Sequence, residues 1–276
     1  MAFVDWLKYL FGKGAADFKF AAASVSARGL VRKDNQDHLV SLPEEGFFCV
    51  ADGMGGGKGG ALASQWVCDG LSLVVRSPEY SAVSGAGRTR FAIDAIQQAN
   101  DRIRMYAREQ GYKSMGSTVA FLVFDPNDWS HPAIVHAGDS RIYRLRRGEL
   151  QQLTRDHTVG VELSRKTHSR MEAQKLGARS NPLTHILTRA VGTEFRVRPD
   201  RQTIDAKVGD RYLLCTDGVH DMLSDEEIAA AMRGWRRPEE IVRRLEKGII
   251  AAGAGDNYSL VCIEVRRQRP SRQVNP

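Results

Sequence analysis

The stretch Val50-Ala51-Asp52-Gly53-Met54-Gly55-Gly56-Gly57 limits what this chain can fold into more than any other. An uncharged apolar run, Phe47-Phe48-Cys49-Val50, leads into it and predicts a buried strand. The strand ends on one carboxylate, Asp52, and the chain then turns almost entirely to glycine. Such a join places an acid at a sheet edge and lets bare backbone approach whatever that acid holds.

Three later acids share the setting. Asp139 and Asp217 close apolar runs, Asp256 opens one, and each has a glycine beside it. Aspartate and glycine are also favoured turn residues, which accounts for any single case. Four together, with Asp37 near the start of a further strand, predict a pocket rich in carboxylates. Left alone, such a pocket repels itself and raises its own pKa values. Mg²⁺ or Mn²⁺ with oxygen ligands resolves the repulsion. The histidines show no zinc spacing. Arg32 lies close to Asp37 in sequence; its guanidinium either grips a phosphate through paired hydrogen bonds or makes a surface salt bridge.

Strands are predicted over residues 18–25, 38–40, 119–124, 133–137, 142–145, 211–216 and 258–265, with hairpin connections at 43–46 and 146–149. Amphipathic helices are predicted over 60–75 and along Ala92, Ile96, Ala99, Ile103 and Ala107, with 78–87 as the loop between them. A short helix is expected over 183–191, another N-capped by Asp225, and a third over 238–250. Most strands are joined by hairpin-like turns. That order predicts an α+β fold, a sandwich of two antiparallel sheets flanked by helices, and argues against a parallel βαβ sheet. The expected domain runs over 18–266, with a basic insertion at about 157–185. Residues 1–17 form an apolar extension, with Phe3, Trp6, Leu7, Leu10 and Phe11 on one helical face. That face is expected to pack on the body of the protein, and the alternative is docking on a membrane or a partner helix. Residues 267–276 make a basic tail, expected to be disordered.

Composition narrows the classes. The 276 residues carry a net charge of +7, but the arginines are spread along the chain and not interleaved with aromatics, so nucleic acid is not the expected partner. A chain that handles phosphorylated proteins carries the same balance. Cys49, Cys215 and Cys262 sit in apolar runs, and with Cys68 they form no C-x-x-C pair; buried free thiols in a reducing cytoplasm are expected. No stretch is long and apolar enough to span a bilayer.

Taken in order, seven segments resemble one family. They are Arg32-Lys33-Asp34-Asn35-Gln36-Asp37, Ala51-Asp52-Gly53-Met54-Gly55-Gly56, Met115-Gly116-Ser117-Thr118, Ala137-Gly138-Asp139-Ser140-Arg141, Leu187-Thr188-Arg189-Ala190-Val191-Gly192, Cys215-Thr216-Asp217-Gly218 and Gly255-Asp256-Asn257-Tyr258-Ser259. Each is weak alone; the ordered set resembles the metal-dependent serine/threonine protein phosphatases of the protein phosphatase 2C family. The resemblance implies an α-β-β-α sandwich with two Mn²⁺ or Mg²⁺ ions at one end. It implies that Asp52 bridges both ions, that the Gly53 carbonyl is a ligand, and that Asp217 and Asp256 hold the first ion. Asp37 would hold water on the second, Asp139 would serve a third, weaker site, and Arg32 would bind the substrate phosphate. Gln36 and Asn257 would support these ligands. A water activated by the metals would attack phosphorus with no covalent intermediate, so no cysteine is asked to act.

Two departures stand out. Met54 occupies a place where many members carry a histidine proposed as proton donor, and Gln36 replaces a common acid. The implied partners are phosphoproteins and a cognate serine/threonine kinase, and a monomer is expected. The competing reading is a phosphoprotein-binding scaffold of the same fold without activity. Regulation of type VI secretion is an analogy alone.

Overall fold

The structure is a computed structural model, and it describes residues 18–55, 58–167, 169–176, 181–234 and 237–267. The predicted N-terminal apolar face, residues 268–276 and part of the basic insertion lie outside the described residues. The strands are β1 (Phe18–Ala27), β2 (Asp37–Leu42), β3 (Phe47–Met54), β4 (Gly116–Ser117), β5 (Val119–Asp125), β6 (Asp128–Ala137), β7 (Arg141–Arg146), β8 (Glu149–Gln152), β9 (Asp200–Thr203), β10 (Arg211–Cys215) and β11 (Tyr258–Arg267). One sheet has the order β1-β11-β10-β7-β8; the other runs β2-β3-β5-β6-β9, with β4 attached to β3. Every pairing within them is antiparallel.

The continuous apolar runs follow from burial on both faces of each sheet. Alternate β3 residues Phe48 and Val50 face Tyr212, Leu214, Val261 and Ile263 of the opposite sheet in the central core. Their neighbours Phe47, Cys49 and Ala51 face outward, under two helices, α1 (Lys58–Val75) and α2 (Gly85–Gln110). The second sheet is covered by α3 (Asp225–Arg233) and α4 (Pro238–Ala251), whose Ile241, Val242, Leu245 and Ile249 meet Leu213, Leu260 and Cys262. Each such side chain contributes roughly 1.5–3 kcal/mol on burial. All four cysteines are free and buried, as expected.

Some local expectations fail for identifiable reasons. The expected loop over 78–87 contains a helical turn, Pro78–Ser81, because Ser77 caps it and Tyr80 anchors it in the core. Ser224, not Asp225, is the N-cap of α3; it accepts from Glu227 N–H while Glu227 reaches back, a reciprocal capping box. The helix expected over 183–191 shrinks to a 3₁₀ turn, Pro182–His185; beyond it Leu187 bridges Thr158 and Val191 bridges Ser117. The apolar residues there serve extended pairing, which a helical period does not describe. The basic insertion carries two short helices, Val159–Lys166 and Arg170–Leu176, too short to show periodicity.

Candidate metal centre

Strand ends bring the predicted acids together. Asp37 opens β2 directly opposite Asp52 near the end of β3. Asp139 follows β6, Asp217 follows β10, and Asp256 precedes β11. Asp217 starts a helical turn, Asp217–His220, where a plain strand end was expected. Asp52, Asp139 and Asp217 wall a cleft of about 580 Å³ whose other side is the segment from His185 to Ala190 with Thr193 and Glu194. Met54 and Thr118 also line it.

Backbone packing fixes the acids. Asp52 N–H donates to Thr118 Oγ1 at 2.9 Å, and Thr118 N–H donates to the Asp52 carbonyl at 2.8 Å. Gly53 has no room for a side chain, because a Cβ there would lie 2.0 Å from the Gly60 carbonyl and 2.7 Å from that of Gln36. The start of α1 can therefore close down on the acid-bearing strand. Gly218 is equally confined, its Cβ position lying 2.0 Å from the Asn257 carbonyl. Asn257 ties the loop before β2 to β11: its amide donates to the carbonyls of Arg28 and Asp34, and its Oδ1 accepts from Gln36 N–H.

The electrostatics centre on Asp52. Burial pushes its carboxyl well above the usual carboxylate range, and repulsion from Asp217, Asp37, Asp139 and Asp256 adds to it. Burial likewise raises Asp37, to about 7, against a 2.8 Å hydrogen bond from Thr216 Oγ1. Asp139 and Asp217 are raised by burial first. Asp37 Oδ1 is buried with no hydrogen-bond partner among the described residues. Among the described residues the guanidinium in the group is Arg32, whose Nη2 lies 2.6 Å from Asp256 Oδ2. Arg32 lies beside the acids, and in this structure it pairs with one of them. Buried carboxylates, an unpartnered carboxylate oxygen and nearby backbone carbonyls form a hard-oxygen donor set, which fits Mg²⁺ or Mn²⁺.

A second polar cluster escaped the sequence pattern. His136, His157 and Asp200 hold donor atoms within 4.8 Å of one another. No local spacing reveals it, because β6, the following loop and β9 bring the three together. The cluster is already satisfied: Gly138 N–H donates to His157 Nδ1, Arg155 O is 2.9 Å from His136 Nε2, and Asp200 meets His157 at 3.2 Å and Arg189 at 2.7 Å. Arg155 stands 3.5 Å from the same acid. A dication here would face two guanidiniums, so the cluster is a structural brace behind Asp139. The sequence also left unassigned His220, whose Nε2–H donates to the Asp139 carbonyl at 3.1 Å, and the bidentate pair of Arg141 with Asp156.

Comparison with known proteins agrees with this architecture. The protein phosphatase 2C family profile matches residues 23–250. The serine/threonine protein phosphatase PstP of Mycobacterium tuberculosis is 34% identical over 88% of this chain, which spans only 44% of that longer protein. Among solved structures, PppA, described as a key regulatory component of T6SS in Pseudomonas aeruginosa, is 32% identical with a TM-score of 0.78, covering 90% of this chain and 98% of its own. The catalytic domain of PstP in complex with two manganese ions is 31% identical with a TM-score of 0.75, covering 90% and 99%. A profile match over most of the domain, together with the shared sandwich and the ordered motifs, shows that this chain belongs to the protein phosphatase 2C family.

Proposed function

We propose that the chain is a metal-dependent serine/threonine protein phosphatase acting on phosphorylated proteins in the cytoplasm, opposite a serine/threonine kinase. The observation that carries this reading is the repulsion of Asp52 by four surrounding acids, Asp37, Asp139, Asp217 and Asp256, with Arg32 as the paired guanidinium among the described residues. Two divalent cations, when bound, supply an acidified water and stabilise charge on the phosphoryl oxygens. Asp52 is assigned the position shared between them, Asp217 and Asp256 one side, and Asp37 the other, with the Gly53 carbonyl as a further ligand. Asp139 is assigned to a third, weaker site. Thr216 and Asn257 hold Asp37 and the Asp256 strand in register for that task.

Arg32 is assigned to the substrate phosphate. Its contact with Asp256 is half exposed, so an incoming phosphate dianion can compete for the guanidinium at little cost. The basic insertion stands beside the cleft, where lysine and arginine side chains would meet acidic residues near a phosphosite.

The test is hydrolysis of p-nitrophenyl phosphate and of a phosphothreonine peptide with and without Mn²⁺. Both are expected to stop in excess EDTA and to return with Mn²⁺ or Mg²⁺. Undiminished turnover in EDTA rules the reading out.

A further inference from the structure

Release of a serine or threonine oxygen from phosphorus leaves a strongly basic alkoxide, so its departure is helped by a proton donor within reach. Met54, on the cleft wall, has no proton to give. Arg189 keeps its own proton and is tied to Asp200. The cleft acids are committed to the cations. His185, at the end of the 3₁₀ turn Pro182–His185, lines the same cleft and is the one imidazole among its described lining residues.

We propose that His185 donates the proton to the departing serine or threonine oxygen, with Asp221 as its positioning residue. The proposal rests on the metal-centre reading above. His185 Nδ1 lies 3.5 Å from Asp221 Oδ2, and the ring is about half exposed. Asp221 follows the turn Asp217–His220, so the same short turn carries a cleft acid at its start and the orienting acid just past its end. A carboxylate behind one ring nitrogen fixes the ring's direction.

The step balances. The water oxygen bonds to phosphorus as the bond from phosphorus to the serine or threonine oxygen breaks. That oxygen takes the proton from His185 Nε2. Solvent receives the proton of the water and returns one to the ring, so only water is consumed. His185 also sits at the base of the basic insertion, which places the donor where a docked phosphoprotein would touch it.

The test compares leaving groups in the Mn²⁺-loaded full chain. p-Nitrophenolate departs without a proton, phenolate needs help, and a threonine alkoxide needs it most. His185→Asn is expected to lower kcat by about 100-fold on a phosphothreonine peptide, by about tenfold on phenyl phosphate and by about threefold or less on p-nitrophenyl phosphate. Asp221→Asn is expected to give the same graded pattern with smaller losses. Glu194→Gln, at another ionisable residue of the cleft, is expected to give no gradient. Calorimetric Mn²⁺ binding should be unchanged by His185→Asn. Equal losses on phenyl and p-nitrophenyl phosphate, no loss on any substrate, or a gradient that follows Glu194 instead would overturn the assignment. Wild-type turnover that survives EDTA defeats the metal reading, yet the leaving-group comparison still judges His185 on its own.

Discussion

Two sets of buried aspartates behave in opposite ways. Asp156 and Asp210 are buried, and the chain supplies each with a guanidinium: Arg141 reaches Asp156 at 2.6 Å, and Arg146 reaches Asp210 at 2.6 Å. Asp210 also accepts from Lys207 N–H and the Tyr212 hydroxyl. In the cleft, Asp37 and Asp139 are as deeply set and Asp52 and Asp217 are half-buried, yet burial and mutual repulsion raise all four. The same residue type is architecture where the fold provides its countercharge. Where the fold withholds one, folding bears a cost that bound cations or protonation relieve.

Exchanging a cleft acid for its amide gives the largest expected effect. Asp217→Asn should lower kcat/KM by about 10³-fold or more, about 4 kcal/mol in the transition state. It should also change stability in a direction that Asp156→Asn does not. The folded-state pKa of Asp217 is raised, so in metal-free protein the carboxylate favours folding only while protonated and opposes it as pH rises. At pH 8 without metal, Asp217→Asn should melt above wild type. Asp156→Asn removes half of a buried pair and should melt below it. Mn²⁺ at a few hundred times its Kd should stabilise wild type by about 3 kcal/mol and the Asp217 variant by much less. Melting curves in which both variants shift the same way would erase the distinction between the two sets.

The guanidinium side of the comparison comes next. Arg141→Met leaves Asp156 buried without its partner, and unfolding free energy should fall by about 3–5 kcal/mol. Adding Asp156→Leu should recover most of that loss, because the cost lies in the stranded charge. Denaturant melts of the three proteins decide it. A double variant no better than the single one would mean that the pair itself holds β7 to the loop before the insertion.

What could be read in the sequence follows the range of the interactions. The apolar runs flanking Asp52, Asp139, Asp217 and Asp256 are local, and so the sandwich and the meeting of its strand ends were legible. The partners that tune each acid are not local. Thr216 reaches Asp37 across 179 residues, and Asn257 reaches Asp34 across 223. Thr216 and Asn257 stand inside the quoted motifs, but nothing in their spacing names their targets. His136, His157 and Asp200 meet only through strand order, and His185 lies in a segment whose apolar residues imitate a helical period while serving extended bridges.

Arg32 divides the two behaviours, since it belongs to the cleft yet pairs like the structural arginines. Its contact with Asp256 spans 224 residues and is partly exposed, so little stability depends on it. Arg32→Ala should therefore leave the melting temperature nearly unchanged and raise KM for phosphopeptide about tenfold, roughly 1.4 kcal/mol, with a smaller change in kcat. Steady-state kinetics beside a melt checks both. An unchanged KM would return the residue to the structural set.

The histidine brace gives the smallest effect, and its sign opposes that of the cleft acids. Burial, then the neighbouring His136, lowers the pKa of His157 to about 4 from an ordinary value of about 6.5. Between those values the unfolded chain takes up a proton that the folded protein refuses. His157 therefore costs no stability above about pH 6.5, and stability falls as pH drops toward about 4. The raised acids of the metal-free cleft act in reverse, since acidification toward their folded pKa values relieves their repulsion. Subtracting the pH profile of His157→Gln from that of wild type isolates the histidine. The difference should grow by about 1 kcal/mol between about pH 7 and about pH 5.5 and level off below about pH 4. A flat difference would mean that His157 stays hydrated or charged in the folded protein, with Asp200 as its countercharge.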